Sequence, residues 1–118
     1  MRILFYVPDN HITHSYMPTL WPHLLKALTP PGHQVTTVDG NVVRLSSEEL
    51  GAYVARQKID LVGIGGMTRT IHISYAVADQ LRRAGVPVVM GGPHVSEEPD
   101  EALEHADAVV CGEADDLW

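Results

Sequence analysis

Short apolar segments alternate along this chain with longer amphipathic ones. Three of them, Arg2–Val7, Asp60–Gly65 and Val86–Met90, are almost continuous in apolar or small residues. Runs of this length without a period of two are typical of strands buried on both faces of a parallel sheet. A weakly alternating segment, His33–Val38, and a short one, Ala108–Cys111, read as two further strands.

Helical patterns lie between these strands. The first predicted helix begins near Pro18–Pro22. Three more are predicted from Ser46 to about Lys58, from Thr70 to Arg83, and from Pro99 to His105. Ser46 and Glu49 have the spacing of a capping box, and Gly85 suits a helix C-terminus. The buried stripes are expected to be Leu24, Leu25 and Leu28 in the first helix, and Ile73, Val77 and Leu81 in the third.

Regular alternation of strand and helix predicts a doubly wound α/β fold with a five-stranded parallel sheet. We expect the flavodoxin-like (Rossmann-like) strand order 2-1-3-4-5, with Asp60–Gly65 central and His33–Val38 at an edge. In such sheets ligands bind outside the carboxyl ends of the strands, near the point where the strand order reverses. The site is therefore expected where Asp60–Gly65 ends.

Composition narrows the functional classes. The 118 residues are enough for one domain, and the formal net charge of -7 argues against nucleic acid or an anionic membrane as the main partner. A single cysteine, Cys111, excludes an internal disulfide and an iron–sulfur site with three cysteines of this chain, and we expect it to be packed. The first apolar run is too short for a signal peptide or membrane span, so we expect a cytoplasmic protein.

Three loops are predicted to meet at the carboxyl edge: Asp9–His14, Gly65–Thr68 and Gly91–His94. The paired glycines permit close approach of a ligand or another backbone, but they also serve simple turns. Neither of the two glycine loops, Gly65–Thr68 and Gly91–His94, has the spacing of a dinucleotide-binding or P-loop motif. A phosphorelay receiver is disfavoured because Asp9 lacks neighbouring acids and the last strand is not followed by lysine.

Several blocks together resemble a known family. DLVGIGGMT, GVPVVMGGPHV, PDEAL and HADAVVCGEA are similar to the N-terminal cobalamin-binding domain of cobalamin-dependent radical S-adenosylmethionine enzymes, of the Mg-protoporphyrin IX monomethyl ester oxidative cyclase type. The resemblance implies a cobalamin site formed by Asp9, His11, Gly65, Gly66, Met67, Thr68, Gly91, Gly92, His94, Gly112 and Glu113, with no catalytic residue in this chain.

The same resemblance implies a larger parent enzyme. In such parents a [4Fe-4S] cluster cleaves S-adenosylmethionine, and cobalamin takes part in methyl transfer or oxidative cyclisation. The present chain ends at Asp115-Asp116-Leu117-Trp118, which looks like the opening of another helix. We therefore expect residues 1–118 to be the cobalamin-binding piece of a longer protein, partnered by a catalytic domain that this sequence lacks.

Two departures from the pattern affect the cofactor. In cobalamin domains a serine after the third strand and paired glycines after the fourth line the slot for the nucleotide tail. Here Gly65 stands at the serine position and Met67 at the usual leucine, while Gly91-Gly92 match. Tail insertion is therefore left open.

His11 is the candidate cobalt ligand. Asp9 and His11 match the D-x-H of methionine-synthase-type domains, in which the aspartate orients the histidine under the metal. His14 replaces the glycine of that motif, and the radical enzymes bind cobalamin without a protein ligand. Ligation by His11 and a solvent-exposed loop histidine both remain open, and for His94 a contact with backbone and one with the corrin both remain open.

Two other functions compete with that of a cobalamin-binding module. The chain can be a structural or protein-interaction domain of the same fold that has lost cobalamin, as the substitutions at Gly65 and His14 would allow. It can also be a small enzyme that uses Asp9 and His11 as a general base, although no nucleophile accompanies them.

Overall fold

The computed structural model describes residues 1–11 and 19–118. Its five strands form one all-parallel sheet in the order β2-β1-β3-β4-β5. The strands are β1 (Arg2–Val7), β2 (Gln34–Asp39), β3 (Leu61–Gly65), β4 (Val88–Gly91) and β5 (Ala108–Val109). The predicted order, the central third strand and the second strand at an edge are confirmed. His14 and Pro18 lie outside the described residues, while the first helix begins at Leu20, within the range predicted for its start.

Within the described residues, five helices connect the strands. They are α1 (Leu20–Leu28), α2 (Ser47–Arg56), α3 (Ile71–Arg83), α4 (Pro93–Glu97) and α5 (Pro99–Ala102), with 3₁₀ turns at Thr68–Thr70 and Ala114–Asp116. The capping box is present, because Ser46 accepts from the backbone of Glu49 while the Glu49 carboxylate accepts from the backbone of Ser46. Gly85 follows α3 with a φ of +83°, a conformation that favours glycine.

Each face of the sheet has its own core. On the side of α2 and α3 the buried residues include Leu4, Val62, Ile64 and Met90. On the opposite side, Ile3, Phe5 and Leu25 are buried beneath Trp21 and Trp118. The second core is the smaller one, and it contains three aromatic rings.

The rotation of α1 differs from the prediction. Leu24 and Leu28 are exposed at 45% and 46%, whereas Pro22 and Leu25 are buried. Trp21 packs edge-on against Phe5, with 5.7 Å between ring centroids. Because an indole buries more apolar area than a leucine, its placement decides which side of the helix faces the sheet.

The buried face of α3 also differs in part. Leu81 is buried as predicted, but Ser74, Tyr75 and Ala78 are the other buried residues, and Ile73 and Val77 are half-buried. The small side chains of Ser74 and Ala78 allow the helix to lie close to the sheet. Small residues at a packing face are not identified by a search for apolar periodicity.

The segment around β4 and β5 holds two further differences. His94 lies in α4 rather than in a loop, since Pro93 occupies the first turn of that helix. Cys111 is exposed, which corrects the expectation of a packed thiol, because β5 ends two residues before it. In the described ranges, 1–11 and 19–118, no helix is long and apolar enough to cross a membrane.

Candidate functional site

The loops after β3 and β4 are packed directly against each other. The backbone N–H of Gly66 donates to the carbonyl of Gly91 at 2.9 Å, and that of His94 donates to Gly66 at 3.3 Å. Gly92 has a φ of +106°, and a Cβ built on it would lie 2.8 Å from the Gly66 carbonyl oxygen. These two glycines therefore serve close backbone packing, which fixes both loops at the carboxyl edge.

His94 joins the same two loops through its side chain. Its Nδ1 lies 3.1 Å from the hydroxyl of Thr68, and its Nε2 lies 2.8 Å from a carboxylate oxygen of Glu101. The ring is only 12% exposed. Both ring nitrogens are thus engaged, so His94 acts in this arrangement as a cross-link between the β3 loop and α5.

Glu101 is the acceptor at the centre of this cluster. Hydrogen bonds from His94 and from the hydroxyl of Tyr75, the latter at 2.8 Å, lower the pKa of Glu101. Burial raises the pKa of Tyr75 above its ordinary value, and the carboxylate of Glu101 raises it further. In the tautomer that carries its hydrogen on Nε2, His94 donates to Glu101 and its Nδ1 accepts from the Thr68 hydroxyl.

Asp9 and His11 lie close together, but not as a hydrogen-bonded pair of side chains. The Asp9 carboxylate accepts from the backbone N–H of His11 at 2.9 Å, while its other oxygen is 3.7 Å from Nδ1 of His11 and 3.4 Å from Nε of Arg44. His11 has a φ of +59° and a side chain 71% exposed. Asp9 therefore shapes the turn and pairs with Arg44 more closely than with the imidazole.

The side of β3 that faces α1 is occupied by aromatic rings. A Cβ built on Gly65 would lie 3.1 Å from Nε1 of Trp21, and one built on Gly63 would lie 2.8 Å from Phe5. Gly91, the partner of Gly65 in the sheet, would place a Cβ at an ordinary 3.6 Å from the carbonyl oxygen of Val110. The strand glycines thus make room mainly for Phe5 and Trp21.

The remaining predicted site residues lie at the exposed rim. Met67 is 64% exposed at the end of β3. Gly112 donates its N–H to the Ser96 hydroxyl at 2.9 Å, and Ser96 in turn donates to the Gly92 carbonyl, so the end of β5 is tied to the β4 loop. Glu113 is exposed beside it. The rim thus combines an apolar thioether with backbone and carboxylate groups.

Sequence reasoning missed Trp21, Ser96 and Glu101. The Trp21 position had no signal of its own, because an amphipathic helix tolerates a tryptophan on either side. For Glu101 a signal did exist, since an acid at the start of a helix that follows a Gly-Gly-Pro-His block can reach back to that histidine.

A cavity of about 480 Å³ lies elsewhere, at the amino end of β4. Arg82, Arg83 and Asp107 contribute to its walls, and Arg82 and Asp107 form an ion pair across 3.3 Å. Ligands of parallel α/β sheets bind at the opposite edge, so size alone does not make this cavity the site. No group of three or more His, Cys, Asp or Glu residues is arranged to hold a metal ion in the described part of the chain.

Comparison with known proteins identifies one domain family and two related methyltransferases. The family described as B12 binding domain matches residues 13–117. A bacteriochlorophyllide d C-8(2)-methyltransferase of Chlorobaculum tepidum is 41% identical over 95 residues, which cover 80% of this chain and 20% of that protein. An uncharacterized methyltransferase of Pyrococcus horikoshii is 29% identical over 125 residues, covering 98% of this chain and 27% of that protein.

Proposed function

Because this chain belongs to the B12-binding domain family, we propose that it forms the cobalamin-binding module of a larger enzyme that transfers methyl groups. The observation that carries the proposal is the family match over residues 13–117, together with two methyltransferase relatives. The chain spans about a fifth and about a quarter of the lengths of those relatives, which supports a module within a longer protein.

We further propose that the parent is a radical S-adenosylmethionine enzyme with a [4Fe-4S] cluster held outside these residues. The names of the relatives favour methyl transfer over the oxidative cyclisation that the sequence blocks also resemble. This chain would then contribute no residue to S-adenosylmethionine cleavage, in keeping with its single cysteine.

The residues at the carboxyl edge fit the corrin ring. A corrin is a flat macrocycle with amide arms, and it needs an apolar support with polar groups around it. Met67 supplies exposed apolar surface, and the exposed Thr68, Gly112 and Glu113 surround it with hydroxyl, backbone and carboxylate groups. When bound, the cofactor supplies a cobalt that can carry a methyl group.

The role of this chain would be to hold the ring at a fixed height and orientation. The β3 and β4 loops are joined by the Gly66–Gly91 hydrogen bond and by the His94 cross-link to Thr68. Such a double connection lowers the conformational entropy that the loops lose when a ligand binds. A rigid edge thus favours binding without a direct bond to the metal.

Titration of the purified chain with hydroxocobalamin tests the proposal. We expect a change in the corrin absorbance on binding, and retention of cofactor on a desalting column. Met67→Asp should weaken binding by about tenfold or more, because a carboxylate under the apolar ring must lose its hydration. Leu28→Asp is the matched control, since Leu28 is an exposed leucine at the far end of α1.

Two results would contradict the proposal. The first is the absence of both spectral change and retention, which would favour a structural domain that has lost the cofactor. The second is equal weakening by Met67→Asp and Leu28→Asp, which would show that binding does not depend on the carboxyl edge.

A further inference from the structure

Three glycines lie side by side on the face of the sheet that α1 covers. Gly63 and Gly65 alternate along β3, and Gly65 is paired with Gly91 of β4. Lack of side chains at these positions creates a depression between β3 and α1. The side chains that fill this depression determine whether part of a ligand can enter it.

Two aromatic residues fill most of it. Phe5 lies over Gly63, and the indole of Trp21 lies over Gly65 with three of its atoms 3.1–3.2 Å from the position of a Cβ. The indole thus occupies the place that a side chain on Gly65 would take, which leaves no further layer of space above this part of the strand. Over Gly91 the nearest groups belong to Val110, at 3.6 and 3.8 Å.

Trp21 is held in place from two directions. Its ring meets Phe5 at an interplanar angle of 71°, and Phe5 meets Trp118 at a centroid distance of 5.1 Å. The start of α1 is fixed by Asp39, whose carboxylate accepts from both the N–H and the hydroxyl of Thr19. The indole therefore belongs to a packed cluster and does not hang freely at the edge of the sheet.

We propose that Trp21 closes the space above Gly65 to the nucleotide tail of cobalamin, so that the chain binds the corrin ring with the tail outside the depression between β3 and α1. The inference rests on the proposed function and adds a selectivity to it. Trp21 is then the specificity-determining residue, because its indole blocks the space that the tail would need and not the surface that would hold the ring. A corrinoid without a tail avoids the exclusion altogether.

The test compares two ligands, hydroxocobalamin and the tail-less dicyanocobinamide, on the wild-type chain and on Trp21→Ala. Wild type should bind cobinamide about tenfold tighter than cobalamin, because a tail without a slot must be displaced from beneath the ring into solvent, a cost that cobinamide does not have. In Trp21→Ala that ratio should fall to about threefold or less through a gain in cobalamin binding. Trp21→Phe, which keeps an aromatic ring against Phe5, provides a second variant if the alanine variant does not fold.

The outcomes separate the two proposals. Equal affinity of the wild type for both corrinoids would overturn the role of Trp21 and leave the proposed function standing. The same conclusion follows if Trp21→Ala or Trp21→Phe changes both affinities by one factor. Failure of every variant to bind either corrinoid would overturn the proposed function and this inference with it.

Discussion

The indole nitrogen of Trp21 lies 3.1 Å from the point at which a side chain on Gly65 would begin. The glycine and the tryptophan therefore depend on each other. Gly65→Ser, which restores the residue that the sequence resemblance would place here, should lower the free energy of unfolding by about 1–3 kcal/mol through overpacking. Urea denaturation of the wild type and the variant measures the change.

The cause of that loss can be isolated with a double-mutant cycle. If the hydroxymethyl group clashes with the indole, Gly65→Ser should cost little in a Trp21→Ala background, giving a coupling of about 1 kcal/mol or more. Additive losses would contradict the contact as the cause. Gly32→Ser is an unsuitable control because its φ is +100°, so Gly91→Ser serves instead.

A second prediction concerns the glycines after β4. Gly92→Ala should lower the free energy of unfolding by about 1–3 kcal/mol, because Gly92 has a φ of +106° and its Cβ would meet the Gly66 carbonyl at 2.8 Å. Gly91→Ala is the matched control and should stay within about 0.5 kcal/mol of the wild type, since its Cβ meets only ordinary contacts. Thermal unfolding of both variants checks the difference. Equal losses would mean that the tight packing of the two loops is not formed.

These glycines show how far sequence reasoning reaches. The Gly-Gly pairs correctly marked the ends of β3 and β4, because such pairs end buried strands in parallel sheets. The sequence could not say which glycine needs a positive φ, since that depends on how two distant loops meet. Nor could it say whether the space beside Gly65 holds a ligand or the indole of Trp21.

The fold itself was largely predictable. Continuous apolar runs at Arg2–Val7 and Asp60–Gly65 identify buried strands, and the capping box at Ser46 marks a helix start regardless of tertiary context. The orientation of α1 was not, because the leucine pattern alone does not show whether Leu24 and Leu28 or Trp21 and Leu25 lie nearest the sheet. The orientation depends on the contact between Trp21 and Phe5, which is far away in sequence and close in space.

A third prediction follows from Tyr75 and Glu101. Burial and the neighbouring carboxylate raise the pKa of Tyr75 in the folded chain above the ordinary value of 10.0. The unfolded state therefore loses this proton first, and stability that is present below pH 10 is lost as the pH rises beyond it. In Glu101→Gln the pKa of Tyr75 should fall, since a negative charge beside the hydroxyl has been removed.

Absorbance of tyrosinate during an alkaline titration measures this shift. Tyr75→Phe identifies which of the transitions belongs to Tyr75. Tyr53→Phe is a control that removes another tyrosine while leaving the hydrogen bond to Glu101 intact. An unchanged Tyr75 transition in Glu101→Gln would show that the 2.8 Å hydrogen bond between them does not form.

The last prediction concerns His11 and the cobalt. Its imidazole is 71% exposed, and its Nδ1 lies 3.7 Å from the Asp9 carboxylate, too far for the hydrogen bond that would orient it as a ligand. We therefore expect His11→Ala to leave the absorbance spectrum of the bound corrinoid unchanged. Asp9→Asn, in contrast, should lower the free energy of unfolding, because the ion pair with Arg44 loses its negative charge.

His11→Gly provides an independent check of the role of this residue. Because His11 has a φ of +59°, glycine should fit the turn better than alanine by about 1 kcal/mol. A histidine that serves only the turn can be replaced by glycine without loss of corrinoid affinity. A nitrogen-ligated spectrum that is lost in both His11→Ala and His11→Gly would instead establish His11 as the cobalt ligand, and it would require the imidazole to leave the position described here.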